Sequence, residues 1–353
     1  MEISFLDVVN LFKAVLGGIV TIAALSPLAI WITKRVGLLD IPGSASHKQH
    51  PRPTPLAGGI AIVSSIIVLI LIALPLDRDL LDKEIFPLLA AAGIVFLFGL
   101  WDDAKGLGPL VKAAGQILAA VILIAADVHV HFLEGLSIPF LNAAQLAWLD
   151  WGITIFWLVG ITNAFNLVDS MDGLAIGIAG IAFAFFMIMT GVAHQPSLAV
   201  FSACMMGMCI GLYAYNISPA LLFLGDSGAQ TLGFILAAIA MIYTPQGLPQ
   251  GTSWFVPVIV LGVPIFDTTL VVVSRLLGHR PVFKPDRIHT YHRLVALGLD
   301  PNRAVLILHM ASFVLCLVAF IALSLAPSEA TLLFGLCLVA GMAVLVLLCR
   351  KIP

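Results

Sequence analysis

Asn163-Ala164-Phe165-Asn166-Leu167-Val168-Asp169-Ser170-Met171-Asp172-Gly173 breaks an oily stretch with two carboxylates and two amides, and its reading decides the fold. In a soluble protein this would be one polar turn among many. Here 61% of the 353 residues are apolar and 10% are charged, where a soluble domain carries about 25% charge. The chain therefore reads as an all-α integral membrane protein, a polytopic helical bundle forming a single domain over 1–353. Two more interruptions have the same character: Trp101-Asp102-Asp103-Ala104-Lys105-Gly106 and Phe223-Leu224-Gly225-Asp226-Ser227-Gly228. Carboxylates beside lipid are costly, so each marks a candidate functional position.

A spanning helix needs about 20 apolar residues, fewer where flanking residues snorkel or the membrane thins. About eleven segments qualify: 11–32, 57–74, 86–100, 113–126, 146–161, 174–192, 198–215, 231–243, 254–273, 304–325 and 331–348. Threaded alternately, they put Lys34, Arg35, Lys48, Arg52, Lys105, Lys112, Arg275, Arg280, Lys284, Arg287, Arg293, Arg303, Arg350 and Lys351 on one side. The other side keeps Arg78 and Lys83, with Lys13 near the start of the first span. The positive-inside rule makes the rich side cytoplasmic, with the N-terminus outside and the C-terminus cytoplasmic. Residues 33–56, 101–112, 162–173, 216–230 and 274–303 are then cytoplasmic active-site loops of a multi-pass protein of the cell (inner) membrane. The outer connections carry almost no chemistry. A transporter more often places ionisable groups at the bilayer midplane, between related halves.

The net charge of −2 selects no partner. No basic stripe or aromatic–basic interleaving is present, so nucleic acid is not expected. The five cysteines lie in apolar runs without a Cys-x-x-Cys pair and read as small buried hydrophobes. Glu2 and Asp7 replace the basic start of a cleaved signal peptide.

Asp102 and Asp103 are adjacent carboxylates that repel, so one needs a raised pKa or a cation nearby. Asn163, Asn166, Asp169 and Asp172 recur every third residue, which on a helix is one face. Such a row of oxygens can hold the waters of Mg²⁺ or the edge of a base. A helix cap explains one of these aspartates but not the row. Asp226 lies between two glycines that let a diphosphate approach the backbone. Asn216 and Phe223 precede it with an amide and a flat apolar face for a base. His289, His292, Arg287 and Arg293 crowd one late loop, where arginine suits phosphate oxygens. His50, with Lys48 and Arg52, sits in a proline-rich basic loop suited to headgroup or nucleotide phosphates. Asp267, inside an apolar run, has no evident partner in the sequence.

Taken in order, HPRPTPLAGG, GLWDDAKGLGP, NAFNLVDSMDGLA, NISPALLFLGDSGAQ, VPIFDT and DRIHTYHRL resemble the polyprenyl-phosphate N-acetylhexosamine-1-phosphate transferases. This is the membrane family with the WecA, TagO and MraY types. The match runs from about His47 to His292. The resemblance implies a Mg²⁺-dependent enzyme, with Mn²⁺ an alternative, that moves a sugar 1-phosphate from a UDP-sugar to a polyprenyl phosphate and releases UMP. It implies Asp226, with Asp169, as metal ligands. Asp102 and Asp103 would lie beside the lipid phosphate, and Asn166, Asp169 and Asp172 would line the nucleotide region. Phe223 and Asn216 would hold uracil, while His289, His292, Arg287 and Arg293 would contact diphosphate and sugar. A homodimer is also implied. The late loop resembles the HxHH pattern of the N-acetylglucosamine branch, with Tyr291 in place of one histidine, so UDP-N-acetylglucosamine is the first expected donor. The alternatives are phospho-MurNAc-pentapeptide transfer and, from another class, a lipid-linked sugar transporter.

Overall fold

The computed structural model describes residues 5–43, 52–73, 82–133, 141–245, 253–279 and 289–351. The fold is that of an all-α membrane protein. Its helices are α1 (Phe5–Val36), α2 (Gly58–Ala73), α3 (Ile85–Lys105), α4 (Pro109–Ala125), α5 (Ala143–Val168), α6 (Leu174–Val192) and α7 (Pro196–Asn216). They continue with α8 (Gly225–Ile242), α9 (Phe255–Val260), α10 (Gly262–Leu277), α11 (Thr290–Ala296), α12 (Pro301–Ala322) and α13 (Pro327–Lys351). Among the described residues, eight helices are long and apolar enough to cross a membrane, and α2 and α4 are shorter apolar helices. A two-residue antiparallel pair, β1 (Leu39–Asp40) with β2 (Thr54–Pro55), ties the end of α1 to the entry of α2.

Helix ends follow local chemistry. α5 starts on a capping box, with Asn142 accepting the Gln145 N–H and Gln145 accepting the Asn142 N–H. α12 starts on Asp300, which accepts from Asn302 and Arg303, with Pro301 in the first position. The segment expected as one span over 254–273 is broken between α9 and α10 at Leu261. Pro264 lacks the N–H that would bond back to Val260, and Gly262 weakens the same turn.

The expected spans end too early at the polar motifs. α3 continues through Asp102 and Asp103, α5 continues through Asn163 and Asn166, and α8 begins at Gly225 rather than 231. The motifs therefore lie at helix ends, with Asp169 to Gly173 in the turn between α5 and α6. α8 is the centre of the bundle: every residue from Ser227 to Ile242 is buried, against α2, α3, α5 and α6. Two glycines permit the closest of these approaches. A Cβ on Gly59 would lie 2.3 Å from Ser227 Oγ, and one on Gly99 would lie 2.6 Å from Ser227 Cα. With only hydrogen there, α2 and α3 close on the first turn of α8.

The opposite end of the bundle carries more polar structure than expected. The His129 and His131 rings meet at a tilt of 41° with centroids 4.2 Å apart. Their loop docks on α5 through Val130 N to Thr154 Oγ1 at 3.1 Å and Leu133 N to the buried Asp150 carboxylate.

Candidate active site

The ends of α3, α5 and α8 and the start of α4 bring the three aspartate motifs together. Asp103, in the last turn of α3, receives the backbone N–H groups of Asp226 at 2.7 Å and Ser227 at 3.1 Å. A helix start leaves such N–H groups without partners, so Asp103 acts as a cap supplied by another helix. Gly225, with φ +71°, turns the chain into that cap. Asp102 faces the other way. One of its oxygens accepts the Leu107 N–H, and Oδ2 accepts Lys112 Nζ at 2.7 Å.

Lys112 also donates to Asp226 Oδ2, so one ammonium bridges two carboxylates. The sequence reading counted Lys112 only as a topology charge. Its signal was its place one turn into α4, opposite Asp102. Asp226 Oδ2 receives two further donors, Asn166 Nδ2 at 3.5 Å and Gln230 Nε2 at 3.3 Å. Asp169 follows the last turn of α5 and is half-buried by area, yet protein atoms crowd its carboxyl. Burial first, then the charges of Asp226, Asp103 and Asp172, push its pKa up to about 8.

The turn after Asp169 is held from two directions. Asp172 Oδ2 accepts the Ala220 N–H at 3.3 Å. Asn216, 2% exposed, accepts the Gly173 N–H and donates to Leu222 O, each at 2.9 Å. Its amide thus clamps the α5–α6 turn to the α7–α8 turn instead of reaching toward a base, as was expected. Phe223 is half-buried, and its backbone joins the segment entering α2, through Phe223 N to Pro55 O at 2.8 Å and Gly58 N to Phe223 O at 3.0 Å.

The late loop reaches the same end. Burial, and next the charges of Asp172 and Asp300, raise the Tyr291 hydroxyl above its ordinary value. His289 Nδ1 meets Asp267 Oδ2 at 2.8 Å, and Asp267 Oδ1 accepts the Thr290 N–H at 2.6 Å. Asp267, unassigned from sequence, therefore orients His289 and caps α11. His292 packs edge-on to Tyr291, 5.2 Å between centroids. Arg293 sits at a helix junction. It is buried and donates to Leu348 O and Ser274 Oγ, each at 2.6 Å, locking α11 to α10 and α13. His50 and Arg287 lie outside the described residues.

Among the described residues, no three His, Cys, Asp or Glu side chains form a ready-made metal cage. The donors are carboxylates and amides, and the Asp102–Asp226 gap already accommodates one cationic group. That chemistry fits Mg²⁺, which is commonly held by one or two carboxylates plus substrate phosphates.

Helical spans with this carboxylate-rich end define a polytopic membrane protein. A model of glycosyl transferase family 4 matches residues 85–244, the stretch from α3 to the end of α8 that carries Asp102, Asp103, Asp169, Asp172 and Asp226. A decaprenyl-phosphate N-acetylglucosaminephosphotransferase of Mycobacterium tuberculosis is 32% identical over 361 residues, covering 94% of this chain and 87% of the relative. A probable undecaprenyl-phosphate N-acetylglucosaminyl 1-phosphate transferase of Bacillus subtilis is 29% identical over 317 residues, covering 89% and 85%. A phospho-N-acetylmuramoyl-pentapeptide-transferase of Bacillus subtilis is 30% identical over 304 residues, covering 82% and 91%. The chain belongs to glycosyl transferase family 4.

Proposed function

We propose that this protein transfers N-acetylglucosamine 1-phosphate from UDP-N-acetylglucosamine to a polyprenyl phosphate, undecaprenyl phosphate in the first instance, at the cytoplasmic face of the cell membrane. The N-terminus lies outside and the C-terminus inside, on the charge asymmetry of the connections. The observation that carries the reading is the Lys112 bridge between Asp102 and Asp226, set among Asp103, Asn166 and Asp169.

The bond that forms joins a lipid-phosphate oxygen to the sugar-bearing phosphorus. The bond that breaks joins that phosphorus to the bridging oxygen, which departs with UMP. One pyrophosphate linkage replaces another, so catalysis is mostly positioning and charge neutralisation. A bound Mg²⁺ or Mn²⁺ supplies neutralisation of the diphosphate and improves the leaving group; Asp226 and Asp169 would hold it. Lys112 turns from Asp226 to a phosphate oxygen when the donor binds. Asp102, free of the capping duty that occupies Asp103, accepts any proton carried by the lipid phosphate. Asp172 and Phe223 meet the uracil, Asn216 fixes their turn, and His289 and His292 face the diphosphate and sugar. His50 and Arg287 add phosphate contacts.

The test combines purified protein with radiolabelled UDP-N-acetylglucosamine, undecaprenyl phosphate and Mg²⁺. UMP release together with a lipid-soluble labelled product supports the proposal. Label that crosses a vesicle membrane unchanged supports a transporter instead. The UDP-MurNAc-pentapeptide donor in the same assay separates the pentapeptide reading, which the Bacillus subtilis relative keeps open.

A further inference from the structure

Beneath the candidate cation site lies a chain of amides, two of them buried, that the proposed reaction does not use. It runs from α5 through α4 to α8. Asn163 Nδ2 donates to Val159 O at 2.8 Å and to Gln116 Oε1 at 2.7 Å. Gln116 Nε2 donates to Gln230 Oε1 at 3.0 Å and to Asn163 Oδ1 at 3.4 Å. Gln230 Nε2 then donates to Asp226 Oδ2. Gln116 and Gln230 are each 1% exposed. Three helices that pack on one another could fill this space with apolar side chains at no polar cost.

The direction of the chain is fixed at its far end. Val159 O can only accept, so Asn163 must turn its NH₂ that way, and the same NH₂ supplies the second proton to Gln116 Oε1. Gln116 is thereby forced to offer its own NH₂ to Gln230 Oε1. Gln230 in turn has only its NH₂ left for Asp226. Each amide presents both a donor and an acceptor, and a single reversal would aim a carbonyl oxygen at a carboxylate. The three donors to Asp226, from Lys112, Asn166 and Gln230, converge on Oδ2. That convergence sets the rotation of the carboxylate.

We infer that Gln116 is a positioning residue, which acts through Gln230 to hold the Asp226 carboxylate in the orientation that receives a divalent cation. The inference rests on the proposed function, in which Asp226 is a metal ligand. Partners behind metal ligands commonly matter by about tenfold or more in affinity or activity.

The experiment uses the full-length protein in detergent and titrates it with Mn²⁺, following free Mn²⁺ by electron paramagnetic resonance, with UMP release measured in parallel. Gln116→Met keeps the length of the side chain and removes its hydrogen bonds. It is expected to weaken Mn²⁺ binding about tenfold and to lower kcat, with KM for the lipid acceptor unchanged. Gln116→Glu keeps the shape and has no N–H, so it draws the Gln230 NH₂ to itself and turns the Gln230 carbonyl on Asp226; its loss is expected to be larger. In a Gln230→Met background, Gln116→Met should add nothing, because the two act as one unit. Wild-type Mn²⁺ affinity in both Gln116 variants, or losses that add in the double variant, overturns the inference and leaves the proposed function intact. A lower melting temperature with unchanged Mn²⁺ affinity overturns it too, since that is packing alone. If Gln116→Met does not fold, Gln116→Glu carries the test by itself. A wild-type protein that binds no Mn²⁺ and releases no UMP removes the proposed function, and this inference with it.

Discussion

Asp103 holds the helix that carries Asp226: its two carboxylate oxygens take the backbone N–H groups of Asp226 and Ser227, 2.7 and 3.1 Å away. The adjacent aspartates of α3 thus divide their work, Asp103 toward the scaffold and Asp102 toward Lys112. Removal of a helix cap costs about 0.5–2 kcal/mol. Asp103→Ala is therefore expected to lower the melting temperature and to cut UMP release by about 100-fold, since it frees the residue that positions the reaction. Asp103→Asn keeps one acceptor and should fall between. Wild-type turnover in Asp103→Ala would show that the cap does not position Asp226.

Lys112 makes a prediction with two opposite signs. Lys112→Met removes the positive charge that competes with a metal ion for Asp102 and Asp226. Mn²⁺ binding without nucleotide should tighten, by about tenfold at the effective screening of a protein surface. Turnover should nevertheless fall, because no ammonium is left to meet the diphosphate. Lys112→Arg should not restore it, as a planar fork cannot replace a point charge between two oxygens. Metal titration and UMP release, run side by side, decide this; weaker Mn²⁺ binding in Lys112→Met would contradict it.

Asp169 contributes to the pH response of the metal-free protein. Its pKa rises from 3.8 to about 8, by burial and then by neighbouring carboxylates. The folded state therefore holds a proton that the unfolded state releases between those values. Stability contributed by this group is full below the lower value and is lost as pH climbs toward the upper one. In EDTA the melting temperature should fall from pH 5.5 to 8, and Asp169→Asn should flatten that slope. Cation binding must displace the proton, so Mn²⁺ affinity should rise up to about tenfold per pH unit below pH 8. A pH-independent affinity would argue against Asp169 as a ligand.

Asp267 is expected to act on substrate binding through His289 and the start of α11. Asp267→Ala leaves the His289 ring without its partner and the Thr290 N–H uncapped. We expect KM for the UDP-sugar to rise by about tenfold, with a smaller change in kcat, and Asp267→Asn to recover part of the loss because it still caps the helix. Steady-state kinetics with varied UDP-sugar measures the split.

Much of this was legible in the sequence for one reason: polar residues are conspicuous in an oily chain. The three aspartate motifs stood out and came together at one end of the bundle. Their secondary structure was harder to read, because hydropathy reports compatibility with lipid, not helix. α5 continues past Ile161 since its polar row faces α4 and α8. Composition also misplaces charges whose partners are distant in sequence. Lys112 looked like a topology signal and bridges two carboxylates. Arg293 looked like a phosphate ligand and is turned into a helix junction. Asn216 looked like a base contact and is used at both ends by backbone. Asp267 had no visible partner because His289 is 22 residues away.

The burial of α8 bears on how the chain is assembled. Its window has a mean hydropathy of 1.3, the lowest of the eight candidate spans, yet it is walled by α2, α3, α5 and α6. All four walls precede it in the chain. As the protein leaves the ribosome, α8 can enter a slot that already exists, and Asp226, Gln230 and Thr231 pass from water to protein without a stay in lipid. The helix least suited to a bilayer is thus the one whose synthesis is deferred until it no longer has to face one.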